Sequence, residues 1–448
     1  MSPADFLRAE CGNVQDTLDE TLRHDYGFGN RHEYYAECSF RLKVLQARLE
    51  KVPKGDQPAL AGIAYSLSEL SRIISRIERS HLGEFSWPFA DELKKIVDPL
   101  CQEDPLDSET RPILHILSDG GLSAYAFHPE AGRWALPARR RIINIVFPRT
   151  LKHYVLYHSL LGHEVGHAVN RIERHDSYLK TNVLKAFRAK GPLKDALSAT
   201  AWMRTRDAPS EVSIIRHYYE RNYPSWLEMD ESRLDGWHEE FMCDLFGLMI
   251  IGPAYLLAQA TMLPALSPYV TAWRDRHPPY ACRAYLLSRA WTMLGWQTPK
   301  LANGWANKAM TDMLKHALSG PRTHPWVRVF DDAQIRTVVR AVRSLLDSCE
   351  PSLYSPSGPK VLSRLVDMLA QRLPPCGAVL GRQGGPANQR VDFRHILHAG
   401  WLFWWAVSTR RFRSPLSFLQ VNRLCEQGMV QQQAINLALG HALMLEQA

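Results

Sequence analysis

Two histidines four residues apart, His163 and His167, with Glu164 directly after the first, constrain the fold of this chain more than any other feature. On an α-helix, residues four apart lie on one face, so both imidazoles can reach one metal ion. Glu164 then lies one position round the helix, where it can contact a water that the metal activates without binding the metal itself. The pattern predicts a helix over residues 151–170 that carries a metal site, and neutral imidazoles favour zinc.

The residues around the two histidines are typical of a buried helix. Apolar packing is supplied by Leu160, Leu161, Val165, Ala168 and Val169. Gly162 and Gly166 each cost about 1 kcal/mol relative to alanine inside a helix, and close approach of another backbone would explain them. The alternative interpretation is a core helix whose two histidines are satisfied by other polar groups without a metal.

A zinc site with two histidines needs a third protein ligand, which leaves the fourth position to water. The best candidate is Glu240, which shares one face of a second predicted helix with Asp244, because the two are four residues apart. Asp244 would then accept the remaining ring N–H of a ligating histidine. Alternatively, the acidic residues form a solvated face, and Glu239 and His238 are the fallback ligands.

Three segments together resemble the gluzincin zinc metallopeptidases: His163-Glu164-Val165-Gly166-His167, Glu240-x-x-x-Asp244 and His277-Pro278-Pro279-x-x-x-Arg283. The last segment is similar to one in prenyl-protein-processing and heat-shock membrane endopeptidases, where it lies close to the metal. The resemblance covers roughly residues 140–290. It implies peptide-bond hydrolysis, one zinc ion per chain, and a substrate strand that pairs with an edge strand before the active helix. Residues 141–147 are where that edge strand, or its neighbour, should lie.

Catalysis also needs a donor for the oxyanion that develops on the substrate. We favour His277 because of the segment in which it lies, and other candidates are Tyr280, Arg283, His217, Tyr218 and Tyr219. Arg283 has an alternative structural role, in which it pairs with Asp244 or Glu239.

Helical periodicity covers most of the chain, including Leu60–Leu82, much of residues 281–348 and the last 55 residues. Strand patterns occur only between residues 113 and 149, at 122–127 and 141–147. The sequence therefore predicts an α+β protein that is mostly α-helical. Its small sheet and active-site helices would form a zincin-like core at residues 113–290, flanked by helical regions at 1–112 and 291–448.

Composition and charge indicate a soluble cytoplasmic protein. The eight cysteines include no Cys-x-x-Cys pair, which favours small core thiols in a reducing compartment. The N-terminus lacks the pattern of a signal peptide, and Gly252-Pro253 interrupts the apolar stretch 245–263, so we expect a core helix there and no membrane span. The net charge of +8 is small for 448 residues, and the short arginine clusters at 139–141 and 410–413 fit solvated faces better than a nucleic-acid patch.

These features predict a zinc metallopeptidase that acts on a peptide or protein substrate. In this hypothesis His163, His167 and Glu240 bind the zinc, and Glu164 is the general base that takes a proton from water and passes it to the leaving amine. One alternative is a catalytically inactive zincin-like binding or scaffold protein. Others are a nucleic-acid-associated protease and a zinc hydrolase that acts on a non-peptide amide.

Overall fold

The computed structural model describes residues 2–22, 31–53, 55–78, 86–107, 111–119, 125–128, 140–188, 231–266, 277–278, 280–296, 300–318, 331–349, 353–356, 358–378 and 389–447. The chain forms two compact units, Met1–Val155 and Leu156–Ala448. The sheet region, which we assigned to a middle domain, lies within the first unit. The division at residues 112 and 290 stays a prediction.

The first unit contains four described helices: α1 (Pro3–Thr21), α2 (Arg31–Glu50), α3 (Gln57–Glu78) and α4 (Trp87–Cys101). Helices α1, α2 and α3 share one core of mostly leucine and isoleucine side chains, including Leu18, Leu42 and Leu70, which are fully buried. The range of α3 confirms the expected helix from Leu60 to Glu78, because its apolar residues recur at helical spacing, and residues 79–82 lie outside the described part of the chain.

Three described strands, β1 (Ile113–Asp119), β2 (Ala126–His128) and β3 (Ile142–Pro148), form one sheet in the order β1-β3-β2. β3 pairs in parallel with β1 and antiparallel with β2. It is buried along its whole length, as its β-branched residues predict. Among the described strands β3 is central, so residues 141–147 form the neighbour of an edge strand.

The outer strands were less visible in the sequence. β1 was not predicted, because its last two residues, Ser118-Asp119, look like the start of a turn. Of the strand expected at 122–127, residues 122–124 lie outside the described part of the chain, and the observed strand begins at Ala126.

The described secondary structure of the second unit is all helical, with turns and loops between the helices. Its helices are α5 (Leu161–Val169), α6 (Glu173–Leu179), α7 (Lys185–Arg188), α8 (Glu231–Ile251), α9 (Pro253–Leu266), α10 (Tyr280–Met293), α11 (Gly304–Leu318), α12 (Asp332–Asp347), α13 (Pro359–Ala370), α14 (Phe393–Ser408) and α15 (Phe418–Gln447). A π-helical turn, Lys180–Leu184, joins α6 to α7. The predicted class, α+β and mostly helical, is confirmed.

The long apolar stretch 245–263 forms the C-terminal part of α8 and most of α9. Residues 241–260 are all buried, and the chain turns between α8 and α9 at Gly252, where φ is +79°. A β-carbon at this position would lie 2.7 Å from the ring of Tyr354, so glycine is required for space as well as for φ. Among the described helices, none is long and apolar enough to cross a membrane.

Several arginines of the two basic clusters are paired with acidic side chains. Arg140 lies 3.1 Å from Glu33, and Arg141 is paired with Glu103. Arg411 is paired with Asp312 in the second unit. These pairs neutralise part of the positive charge that a nucleic-acid surface would need.

Candidate metal centre

Helices α5 and α8 pack with their backbones nearly in contact. A β-carbon on Gly166 would lie 2.8 Å from the Cα of Cys243, and one on Gly162 would lie 3.1 Å from the Cα of Gly247. The expectation that another backbone approaches these two glycines is therefore confirmed. The contact places the histidines of α5 directly opposite the acidic residues of α8.

The two histidines of α5 converge on one carboxylate of α8. His163 Nε2 lies 3.2 Å from Glu240 Oε2, and His167 Nε2 lies 3.4 Å from Glu240 Oε1. The two imidazole rings are nearly perpendicular, with centroids 4.9 Å apart. His163 and Glu240 are buried, so little water reaches the space between them.

The other ring nitrogen of each histidine contacts a different carboxylate. His163 Nδ1 lies 3.0 Å from Asp244 Oδ1, and His167 Nδ1 lies 3.1 Å from Glu239 Oε1. Because an ionised carboxylate only accepts hydrogen bonds, each Nδ1 carries the proton, and the Nε2 of a neutral ring presents a lone pair. Asp244 therefore accepts the ring N–H of His163, as predicted, and that His163 binds a metal stays a prediction. Glu239, a fallback ligand in the sequence, has the same role toward His167.

The facing atoms of this centre call for a cation between them. An Nε2 lone pair and a carboxylate oxygen repel each other unless a proton or a metal ion lies between. Glu240 Oε2 is buried and has no hydrogen-bond partner within the described residues. His163, His167 and Glu240 thus offer nitrogen and oxygen atoms of the kind that bind zinc, and either a metal ion or protonated histidines would satisfy them.

The pKa values of the site favour ionised carboxylates beside a positive charge. Burial raises the pKa of Asp244, but the Arg283 guanidinium and the hydrogen bond from His163 outweigh it and hold this pKa at about 2. Burial also raises the pKa of Glu240, yet the two histidines bring it well below the usual range. Burial lowers the pKa of His163, and the carboxylates of Asp244 and Glu240 more than compensate. Burial also lowers the pKa of His167, but Cys243, and after it Glu239 and Glu240, bring this pKa well above its usual value. The site therefore favours positive charge beside ionised carboxylates.

Asp244 is the centre of a buried hydrogen-bond network. Arg283 donates from Nε to Oδ2 at 2.7 Å and from Nη2 to Oδ1 at 2.5 Å. The hydroxyl of Tyr255 and the amide of Gln259 also donate to Oδ1, at 2.5 and 2.8 Å. Arg283 thus has the structural role that the sequence left open. Tyr255 and Gln259 were not identified from the sequence, although a glutamine inside a long apolar stretch is a usable signal.

The proposed catalytic residues occupy different depths of the site. Glu164 is buried on α5, next to His163. The side chain of His277 is 58% exposed, and its Nε2 lies 3.5 Å from Glu240 Oε1, so the segment around it does reach the centre. Tyr280 begins α10, and burial raises its pKa to about 12, which keeps its hydroxyl protonated at neutral pH.

The remaining candidates divide into two groups. His238 stacks on Phe187, with parallel rings 5.4 Å apart, and this contact is separate from the histidine pair of α5. His217, Tyr218 and Tyr219 lie outside the described residues.

Cys243 is a neighbour of the centre that the sequence did not suggest. Its sulfur and one ring nitrogen from each of His163 and His167 all lie within 4.8 Å of one another. Burial raises the pKa of this thiol to about 12, so it is protonated in the protein without a metal. The sequence could have identified Cys243, because it lies three residues after Glu240 and therefore on the same side of a helix.

Comparison of the chain with models of protein families, with curated proteins and with solved structures finds no match. The resemblance to gluzincins therefore stays a prediction.

Proposed function

We propose that the chain is a zinc-dependent metallopeptidase of the gluzincin type. The observation that carries this proposal is the convergence of His163 Nε2 and His167 Nε2 on the carboxylate of Glu240, while both Nδ1 atoms are held by other carboxylates. Ligand atoms of a tetrahedral zinc ion lie about 3.4 Å apart, given metal–ligand distances of about 2.0–2.2 Å. The observed separations of 3.2 and 3.4 Å run to the two different oxygens of the Glu240 carboxylate, and each is close to that value.

A zinc ion bound here would lower the pKa of a coordinated water and polarise the carbonyl of a substrate. Glu164, on the same helix as the histidines, takes a proton from the attacking water and delivers it to the leaving amine. His277, exposed at the edge of the centre, donates to the developing negative charge on the substrate oxygen. Asp244 and Glu239 keep the two histidines in the ligating tautomer.

The proposed substrate is a peptide or a protein, and the proposed compartment is the cytoplasm. Each of the eight cysteines lies within the described residues and is a buried thiol without a disulfide. This usage supports a reducing compartment, where thiols of this kind persist.

The first experiment is elemental analysis of metal content. We expect about one zinc ion per chain in the wild type and a loss of that zinc in His163→Ala and Glu240→Ala. His398→Ala is the matched control, because His398 is an equally buried histidine on α14 and should leave the zinc content unchanged. A folded wild-type protein that binds no metal when zinc is supplied would contradict the proposal.

Activity is tested separately with a variant that retains the metal. Glu164→Gln should bind zinc like the wild type and lose peptidase activity, on the order of 10²- to 10⁴-fold, because the amide cannot accept a proton. Equal activity of the two zinc-loaded proteins would exclude Glu164 as the base.

Cys243 supports a second candidate, a closed metal site in a binding or scaffold protein. Its sulfur is near enough to the two histidines to share a metal with them, and a fourth protein ligand would leave no position for water. Cobalt substitution distinguishes the candidates, because a thiolate ligand produces an intense near-ultraviolet charge-transfer band. A band present in the wild type and absent in Cys243→Ala would favour the closed site.

A further inference from the structure

Asp244 Oδ1 accepts hydrogen bonds from several donors, whereas a contact with His163 needs only one. Besides His163 Nδ1, it accepts from Arg283 Nη2, from the hydroxyl of Tyr255 and from the amide of Gln259. Arg283 alone neutralises the carboxylate, with two hydrogen bonds. The two neutral donors on α9 therefore require a different explanation.

Arg283 is a competitor for His163 as well as a partner of Asp244. Its Nη2 lies 3.3 Å from His163 Nδ1, only slightly farther than Asp244 Oδ1 does. A guanidinium only donates hydrogen bonds, so an Arg283–His163 bond would require an unprotonated Nδ1. The proton of the neutral ring would then lie on Nε2, the atom that faces Glu240. A ring in that tautomer has its lone pair on Nδ1 and none on Nε2, so it cannot bind a metal on the side of Glu240.

We propose that Tyr255 and Gln259 are positioning residues, which hold Asp244 Oδ1 between Arg283 and His163. By doing so they keep the proton of His163 on Nδ1 and leave Nε2 able to bind a metal. This inference rests on the proposed metal site, and it identifies which residues outside the ligand set prepare that site.

The local fold makes the two residues rigid. Tyr255 and Gln259 lie one turn apart on α9, and the amide of Gln259 donates to the hydroxyl of Tyr255 at 2.9 Å. The hydroxyl therefore accepts from Gln259 and directs its own proton to Asp244. Gly247 on α8 provides the space, since a β-carbon there would lie 2.7 Å from the ring of Tyr255. Both side chains are at most 1% exposed, so water cannot readily replace a lost donor.

The test compares zinc affinity in Tyr255→Phe, Gln259→Met and the wild type, by competition with a chromophoric chelator. Each variant removes donors to Asp244 and keeps most of the side-chain volume, so a loss of affinity of roughly 10- to 100-fold is expected. Tyr354→Phe is the control, because Tyr354 is a buried tyrosine of the same unit that packs against Gly252, and its affinity should match the wild type.

A second readout reports the tautomer directly. In zinc-free protein at a pH where the rings are neutral, ¹⁵N spectra of the histidine side chains should show His163 protonated on Nδ1. In Tyr255→Phe and Gln259→Met, the population protonated on Nε2 should increase, which a purely structural role would not produce. The His163 signal is identified by its absence in His163→Gln.

The outcomes separate this inference from the proposed function. A wild-type protein without zinc affinity overturns the metal site, and the tautomer spectra then decide about Tyr255 and Gln259 independently. Wild-type zinc affinity and an unchanged tautomer in both variants would overturn the inference and leave the metal site intact. If Tyr255→Phe does not fold, Gln259→Met decides by the same two measurements.

Discussion

Gly166 lies so close to Cys243 that a β-carbon on the glycine would be 2.8 Å from the cysteine Cα. This contact sets the distance between α5 and α8, and with it the distance from the two histidines to Glu240. The geometry of the candidate centre therefore depends on a glycine that bears no functional group.

We expect Gly166→Ala to destabilise the protein. In an open helix this change is favourable by about 1 kcal/mol, but here the methyl group must push two backbones apart, at a cost of about 1–3 kcal/mol. Urea unfolding should show a net loss, accompanied by weaker zinc binding. Gly440→Ala on α15 is the matched control, because the space around Gly440 is open, and it should be neutral or stabilising. A stabilised Gly166→Ala variant would contradict the close packing.

Because Asp244 and Arg283 form a buried ion pair, we expect a conservative change at Asp244 to lower the stability of the protein strongly. Asp244→Asn removes the negative charge and leaves the Arg283 guanidinium, which is 6% exposed, without compensation. We expect a loss of about 3–5 kcal/mol in the free energy of unfolding. Asp332→Asn is the comparison, because Asp332 pairs with Arg289 at a half-exposed position on α12, and its loss should cost less than about 1 kcal/mol. Chemical denaturation measures both variants, and similar losses of unfolding free energy in Asp244→Asn and Asp332→Asn would argue against a buried network.

The sequence predicted those parts of the site that depend on spacing along one helix. His163 and His167 on α5, and Glu240 and Asp244 on α8, share a face because each pair is four residues apart. The break at Gly252 was also visible, because glycine followed by proline ends a helix.

Most of the site residues that were missed depend on contacts between different helices. Tyr255 and Gln259 follow Asp244 by 11 and 15 residues, and only the turn at Gly252 folds α9 back onto α8. From the sequence, Glu239 was interpreted as a fallback ligand or a solvated residue. Its hydrogen bond to His167 joins residues 72 positions apart, which spacing along one helix does not reveal. β1 was missed because a short apolar stretch with a turn-like end has no distinctive period.

We expect His398, which is not part of the candidate metal centre, to make the stability of the protein depend on pH. Burial lowers the pKa of His398 to about 3, with a further contribution from His395, whereas in the unfolded chain its pKa is about 6.5. The unfolded state therefore binds more protons between these values. The stability from His398 is complete above pH 6.5 and decreases by about 1.4 kcal/mol for each pH unit below it. In urea titrations from pH 7 to 4, His398→Phe should flatten this slope, and His441→Phe at an exposed site should not.

If zinc is bound as proposed, its removal should lower the stability of the second unit, and the more so the tighter the zinc binds. The Glu240 carboxylate and the two Nε2 atoms would then face one another without a cation, and ligand binding stabilises only the folded state. We expect a chelator to lower the midpoint of thermal unfolding of the wild type, and added zinc to restore it. Glu240→Gln should show little response to either treatment, because it lacks one ligand charge. Leu437→Gln, a change at an exposed position of α15, should respond like the wild type. If chelator and zinc leave the wild-type midpoint unchanged, the three residues do not form a metal site, and their convergence must be stabilised by protonated histidines.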